Sequence, residues 1–302
     1  MNGLAADIFI ETGFFTSSPV QSALVAGGAV ALMAGVVGVF TVVRGQSFAG
    51  HSFADMDTTG GSAAFLLGVG ALWGFLGVSV AAAGAMELLG VERRRGRDVA
   101  TGVVLGAALG LAALFLYWDT TSSSTTGATT TILFGSLFTI SASTVPTIVG
   151  LSAVALAAVL VLYRPLLFSS LNADMARARG VPVRLVGIVF MFLMAVAVAL
   201  SAITVGAILS TALLIGPAAT ALRLTKRPGA AIWASAGIGL IGVWLGILFA
   251  YDSSAWPGHH GWPISFSVVA VIFVFYLAAD LLASVRAKRD RVRQDRLASG
   301  EE

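Results

Sequence analysis

The sequence contains no cysteine. That removes thiolate metal ligands, disulfides and thiol nucleophiles in one step. It is also poor in charge. Only 11% of its 302 residues are Asp, Glu, Lys or Arg, against about 25% in a soluble domain, too few to cover a water-facing surface. There is no glycine-rich phosphate loop, so no nucleotide site is expected in this chain. Residues 1–15 hold Asp7 and Glu11 but no Lys or Arg. A secretory signal needs a positive start, so an amphipathic lead-in is expected instead.

What is present is apolar. Hydrophobic residues make up 57% of the chain, with a mean hydropathy of +0.93, and the natural solvent for such a chain is lipid. Runs long enough to cross a bilayer fall at residues 20–43, 99–117, 147–163, 185–205, 207–222, 230–250 and 264–284. Residues 50–89 are long enough for a helical hairpin. The expected fold is an all-α, polytopic membrane bundle of nine spans, or eight if one short piece is re-entrant. Residues 1–285 form the transmembrane domain, and residues 286–302 a charged cytoplasmic tail that frays from its helix.

The net charge of +3 does not mark a nucleic-acid groove, because the basic residues are scattered between apolar runs. They cluster at 93–97, 164–184, 223–227 and 286–296, whereas 120–131 and 251–263 have none. The positive-inside rule puts the clusters and the C-terminus in the cytoplasm and those two polar loops outside. With nine spans every Lys and Arg falls on one side. Glycines 27, 28, 35, 239, 242 and 246 lie in apolar runs, where small residues let helices approach closely.

Several segments carry more. Residues 163–184 are too long for a turn and too polar for lipid. Asn172 can cap a short helix whose first turn holds Asp174 and whose body holds Ala176 and Arg177, with Gly180 as its stop. This is either a plain surface loop or a docking helix for a cytoplasmic partner. Gly216-Pro217 interrupts an apolar run and is expected to break or kink it. His51 and Asp55 are four residues apart, which on a helix puts them on one face. Such a pair can hold one divalent ion, or it can be a polar helix start. Asp57 points elsewhere and is the weaker ligand, or a cap. His259 and His260 stand together in the second polar loop, either as metal contacts or as a solvated pair, flanked by Trp256 and Trp262 as interface anchors.

Five segments, in order, resemble the permease family of ATP-binding-cassette importers for zinc, manganese and iron. They are residues 20–50, which end RGQSFAG; RDVATGVV from Arg97; LFGSL from Leu133; LYRPLLFSSLNADMARARGVPV from Leu162; and VGAILSTALLIGPAATALR from Val205. The resemblance implies the type II importer fold and a homodimeric permease in the cell membrane. Each copy would dock on a cytoplasmic ATP-binding subunit through the loop around Asn172–Gly180, and an extracytoplasmic metal-binding protein would deliver the ion. ATP belongs to the partner subunit, this chain binds no permanent cofactor, and its cargo is a divalent ion. The family places an Asp and then a His four residues later just after the first span. Here the order is reversed, His51 then Asp55, and Thr59 stands where proline is common. Two other classes stay open. A secondary transporter driven by ion gradients would bury paired ionisable residues in mid-span; a membrane scaffold would have no need of the His51–Asp55 spacing.

Overall fold

The computed structural model describes residues 14–88, 97–122, 126–135, 137–253 and 261–299. The expected lead-in, apart from its last two residues, and His259, His260 and Trp256 lie outside them. Among the described residues every regular element is a helix: α1 (Ser18–Val43), α2 (Ser47–Leu66), α3 (Ala71–Leu88), α4 (Arg97–Ser122), α5 (Thr126–Phe134), α6 (Val145–Val161), α7 (Tyr163–Leu171), α8 (Ala173–Ala178), α9 (Val183–Val205), α10 (Ala207–Leu224), α11 (Pro228–Ser253) and α12 (Ile264–Ser299).

Among the described residues six helices are long and apolar enough to cross a bilayer, and the pair α6 and α7, bent by 60° at Leu162, makes a seventh if it is one span. The hairpin expected from residues 50–89 is α2 and α3. Neither stands among the six: α3 is shorter, and α2, at twenty residues, carries His51, Asp55 and Asp57. α12 continues past residue 285 to Ser299, so the charged tail is its last part.

α1 and α9 form the centre, with α1 packed on α6, α9, α10 and α11. Small residues set these distances. A Cβ on Gly35 would lie 2.9 Å from the Ala236 Cα and the Ser235 carbonyl oxygen, and Gly239 faces the Ala31 carbonyl. Ser235 Oγ donates to the Gly35 carbonyl at 2.7 Å, and Trp244 Nε1 to that of Leu24 at 3.2 Å. Gly27 and Gly28 fit against Val243 and Trp244, and Gly242 and Gly246 against Ile272 and Val268 of α12. In lipid, where apolar burial gives helices no net attraction, such close packing holds a bundle together.

Two expectations are corrected. Residues 120–131 are not a plain loop: α4 reaches Ser122, and α5 begins at Thr126. The threonine hydroxyls are satisfied inside these helices by bonding back one turn, Thr121 to Tyr117 at 2.7 Å and Thr131 to Gly127 at 2.9 Å. Nor do Gly216 and Pro217 break a helix. α10 runs through both, with Pro217 inside it. A proline forfeits one intrahelical bond, and the next turn continues with the Thr220 hydroxyl donating to the Gly216 carbonyl at 2.7 Å. The break falls instead at Gly206 (φ 95°, ψ 153°), where α9 turns into α10.

Candidate metal path and coupling helix

α2 is helical despite its polar composition because its hydroxyls are satisfied locally. Ser52 donates to the Phe48 carbonyl at 2.9 Å and Ser62 to that of Thr58 at 2.8 Å. Thr59 donates across to the Ala108 carbonyl of α4 at 2.6 Å. Neighbouring helices α3, α4, α9 and α10 cover most of α2. On one face, at i, i+3 and i+7, its own chain leaves Phe48 and His51 exposed and Asp55 half-buried; Ser47, Ala63, Phe65 and Leu66 towards its ends are half-buried as well.

His51 Nε2 lies 3.6 Å from Asp55 Oδ2, and the two side chains are 53% and 25% exposed. The two side chains therefore do stand together, and they face outward from the chain. Donors 3.6 Å apart can share one ion at about 2.1–2.2 Å from each, subtending roughly 110°. That satisfies two coordination positions and leaves the rest open. Among the described residues no cluster of three or more His, Asp or Glu could hold an ion.

Asp57 is not part of this pair and is not a cap. It lies inside α2, is fully buried, and accepts a hydrogen bond of 2.5 Å from Ser79 Oγ of α3. Sequence reasoning missed Ser79, since nothing local marks a partner 22 residues away. This contact makes a prediction. Ser79→Ala leaves the buried Asp57 carboxyl without that donor and lowers stability by about 1–3 kcal/mol. Thermal unfolding in detergent measures the loss, and ion preference stays unchanged because His51 and Asp55 are untouched.

At the far end of the chain's polar segment, α8 has the capped form its sequence suggested. Asn172 Oδ1 accepts the Met175 amide at 2.9 Å, Arg177 Nη1 donates to Asp174 Oδ1 at 3.0 Å, and Gly180 ends the turn with φ 78°. Val181 N–H closes back on the Ala176 carbonyl at 3.0 Å. Ala176 is buried, while Met175, Asp174 and Arg177 are exposed. The Asp174–Arg177 pair is too exposed to add much stability. α8 is a short rigid knob held by its caps and by Ala176, with Arg179 5.7 Å over the Phe168 ring of α7.

Residues 17–282 match the ABC 3 transport family. The manganese transport system membrane protein MntC of Halalkalibacterium halodurans is 31% identical over 238 residues, 78% of this chain and 80% of that protein. The manganese import system permease protein ScaB of Streptococcus parasanguinis is 26% identical over 268 residues, 89% and 92% of the two chains. The solved structure of PsaBC from Streptococcus pneumoniae in complex with Fab superposes with a TM-score of 0.76 at 26% identity, covering 91% of this chain and 95% of that one. With a helical bundle of this architecture and a match along most of its length, the chain belongs to the ABC 3 transport family as a multi-pass membrane permease subunit, not itself an enzyme.

Proposed function

We propose that this permease works as a homodimer in the cell membrane and imports manganese. It would receive the ion from an extracytoplasmic binding protein and be driven by a cytoplasmic ATPase subunit. The observation that carries the proposal is the His51–Asp55 pair on an outward-facing stripe of α2. Asp55 sits near the middle of a twenty-residue helix, and an Asp facing lipid at the bilayer centre costs about 2.5–3.5 kcal/mol. Such a stripe belongs against a water-filled path or a second copy. Two copies about a twofold axis supply four ligands where one supplies two. A nitrogen and a carboxylate oxygen suit manganese, the ion in the names of the relatives MntC and ScaB. Zinc and iron remain competitors to be tested.

On this reading α1, α2, α3, α4, α6, α9, α10, α11 and α12 are the nine spans. α2 and α3 measure about 30 and 27 Å at 1.5 Å per residue, enough to cross. The basic ends of the helices then face the cytoplasm, with the C-terminus. Co-reconstituted with its ATPase subunit in proteoliposomes, the permease should take up manganese only when ATP is hydrolysed. Uptake driven by a proton or sodium gradient without ATP would overturn the reading. Zinc or iron displacing manganese at equal concentration would correct the cargo.

α8 is the coupling element in this scheme. Asp174→Arg reverses the charge on its exposed face. Gly180→Trp puts a side chain at φ 78°, which costs about 1–2 kcal/mol and redirects the cap. Either should lower ATP-driven uptake by about tenfold while the permease still folds and reaches the membrane. Uptake at the wild-type rate in both variants would remove α8 from the coupling.

A further inference from the structure

Arg44 stands where α1 ends and α2 is about to begin. The elbow between them is three residues long and closed by backbone bonds. Arg44 N–H bonds the Phe40 carbonyl at 2.9 Å, Gly45 N–H that of Val42 at 3.0 Å, and Gln46 N–H that of Thr41 at 2.9 Å. These bonds satisfy the last carbonyls of α1 and fix the elbow in one conformation. His51 follows four residues into α2, about 6 Å along its axis.

The Arg44 side chain ties this elbow to the segment that holds α8. Its Nη1 donates to Ser169 Oγ at 3.1 Å and to Ser170 Oγ at 3.3 Å, both on α7. Those hydroxyls in turn donate to the Leu166 carbonyl at 3.1 and 2.5 Å, so their lone pairs are turned to the guanidinium. The Arg44 Cζ also lies 5.4 Å from the centroid of the Phe190 ring of α9. Phe190 is in edge contact with Phe40, and Phe40 with Tyr163, the first residue of α7, at 6.2 and 6.1 Å. One planar cation thus engages α7 through two hydroxyls and α9 through a ring, while its backbone belongs to the α1–α2 elbow. A lysine ammonium could reach the two hydroxyls but has no planar group to lay over the Phe190 ring. α7 leads through the single residue Asn172 into α8.

We propose that Arg44 is the positioning residue through which movement of α7 and α8 reaches α2 and displaces the His51–Asp55 pair. The inference rests on the reading of α8 as the ATPase-coupling helix. It assigns a route: α8 to α7, α7 to Arg44 through Ser169 and Ser170, and Arg44 to α2 through the closed elbow. A guanidinium that only stapled the fold would affect yield and stability. One that transmits movement sets how many ions cross for each ATP consumed.

The test uses the whole complex in proteoliposomes. Co-purification of the ATPase subunit, ATP hydrolysis and manganese uptake are measured for Arg44→Ala, Arg44→Lys and the double variant Ser169→Ala/Ser170→Ala. Assembly and hydrolysis should stay at the wild-type level. Ions moved per ATP should fall about tenfold in Arg44→Ala, with a smaller fall in Arg44→Lys and in the double serine variant. If Arg44→Ala fails to assemble, the serine variant decides, since it leaves the guanidinium in place. A wild-type ratio of ions to ATP in the assembled variants overturns the proposal, whatever happens to yield. Gly180→Trp runs alongside. If it lowers the ratio while the Arg44 and serine variants do not, the route through Arg44 is wrong and the coupling role of α8 stands. If Gly180→Trp also leaves the ratio intact, the reading of α8 itself fails.

Discussion

Alanine at either His51 or Asp55 is expected to reduce ATP-driven manganese uptake by about a hundredfold, because even partners that merely orient a metal ligand are worth about 10–100-fold. Each protomer offers two donors at the site, 3.6 Å apart. Removing one leaves a single donor per copy, and the proposed dimer would drop from four ligands to two. The loss should be specific. His51 is mostly exposed and Asp55 partly so, so neither substitution opens a cavity, and assembly with the ATPase subunit should survive. His51→Cys makes a sharper version of the test. A thiolate favours softer ions, so the variant should lose manganese uptake while gaining relative affinity for zinc or cadmium. Metal uptake by the assembled complex measures all three variants. Transport near the wild-type rate in both alanine variants, with assembly intact, would sink the assignment.

The reversed order of the pair bears on this test. The family pattern has the acid first and the imidazole four residues on, and here the imidazole comes first. Residues at i and i+4 share a helix face in either order, so both arrangements give one nitrogen and one carboxylate on a single stripe. What changes is depth. The imidazole sits one turn nearer the Arg44 elbow, and the carboxylate nearer the helix centre. If the pair is the proposed site, ligand chemistry is kept and the order in which a moving ion meets the two donors would be inverted.

How far the sequence carried depends on the range of the interaction concerned. Hydropathy found the long helices, because membrane crossing is a property of single segments. Asn172 and Gly180 announced α8, because a cap is made within one turn. The spacing of His51 and Asp55 was legible for the same reason. α5 was not, since a threonine-rich stretch has neither apolar periodicity nor strong helix formers, and its hydroxyls are satisfied only once the helix exists. The partners of Asp57 and Arg44 were also hidden. Ser79 is 22 residues from the first, and Ser169 is 125 from the second, so a tertiary contact alone joins them. Proline at 217 drew attention that belonged to Gly206. A missing amide is visible in a sequence, whereas a glycine that needs a positive φ looks like any other of the 35.

Gly206 makes the second large effect predictable. Its φ of 95° with ψ of 153° is a conformation in which a side chain costs about 1–3 kcal/mol. It also lies against Gly135, which ends α5 with φ 80°. A Cβ on Gly206 would come within 2.6 Å of the Phe134 carbonyl carbon and 2.7 Å of the Gly135 nitrogen. A Cβ on Gly135 would come within 2.6 Å of the Gly206 nitrogen and 2.7 Å of the Val205 carbonyl carbon. The two backbones touch with no side chain between them, and each glycine is required by the facing backbone segment, 133–135 for Gly206 and 204–206 for Gly135. Either Gly206→Ala or Gly135→Ala should therefore add an overpacking cost of about 1–3 kcal/mol to its backbone strain. Both should shorten the life of the folded permease on heating in detergent. The double variant is the informative one. The first methyl group forces α5 away from the α9–α10 turn, so the second meets open space and pays only for its own φ. The double variant should be more stable than the sum of the single losses implies, by about 1–2 kcal/mol. Reversible unfolding of the four proteins in detergent measures this coupling as a double-mutant cycle. Additive losses would mean that the two glycines act separately and that α5 is not held against the turn by backbone contact.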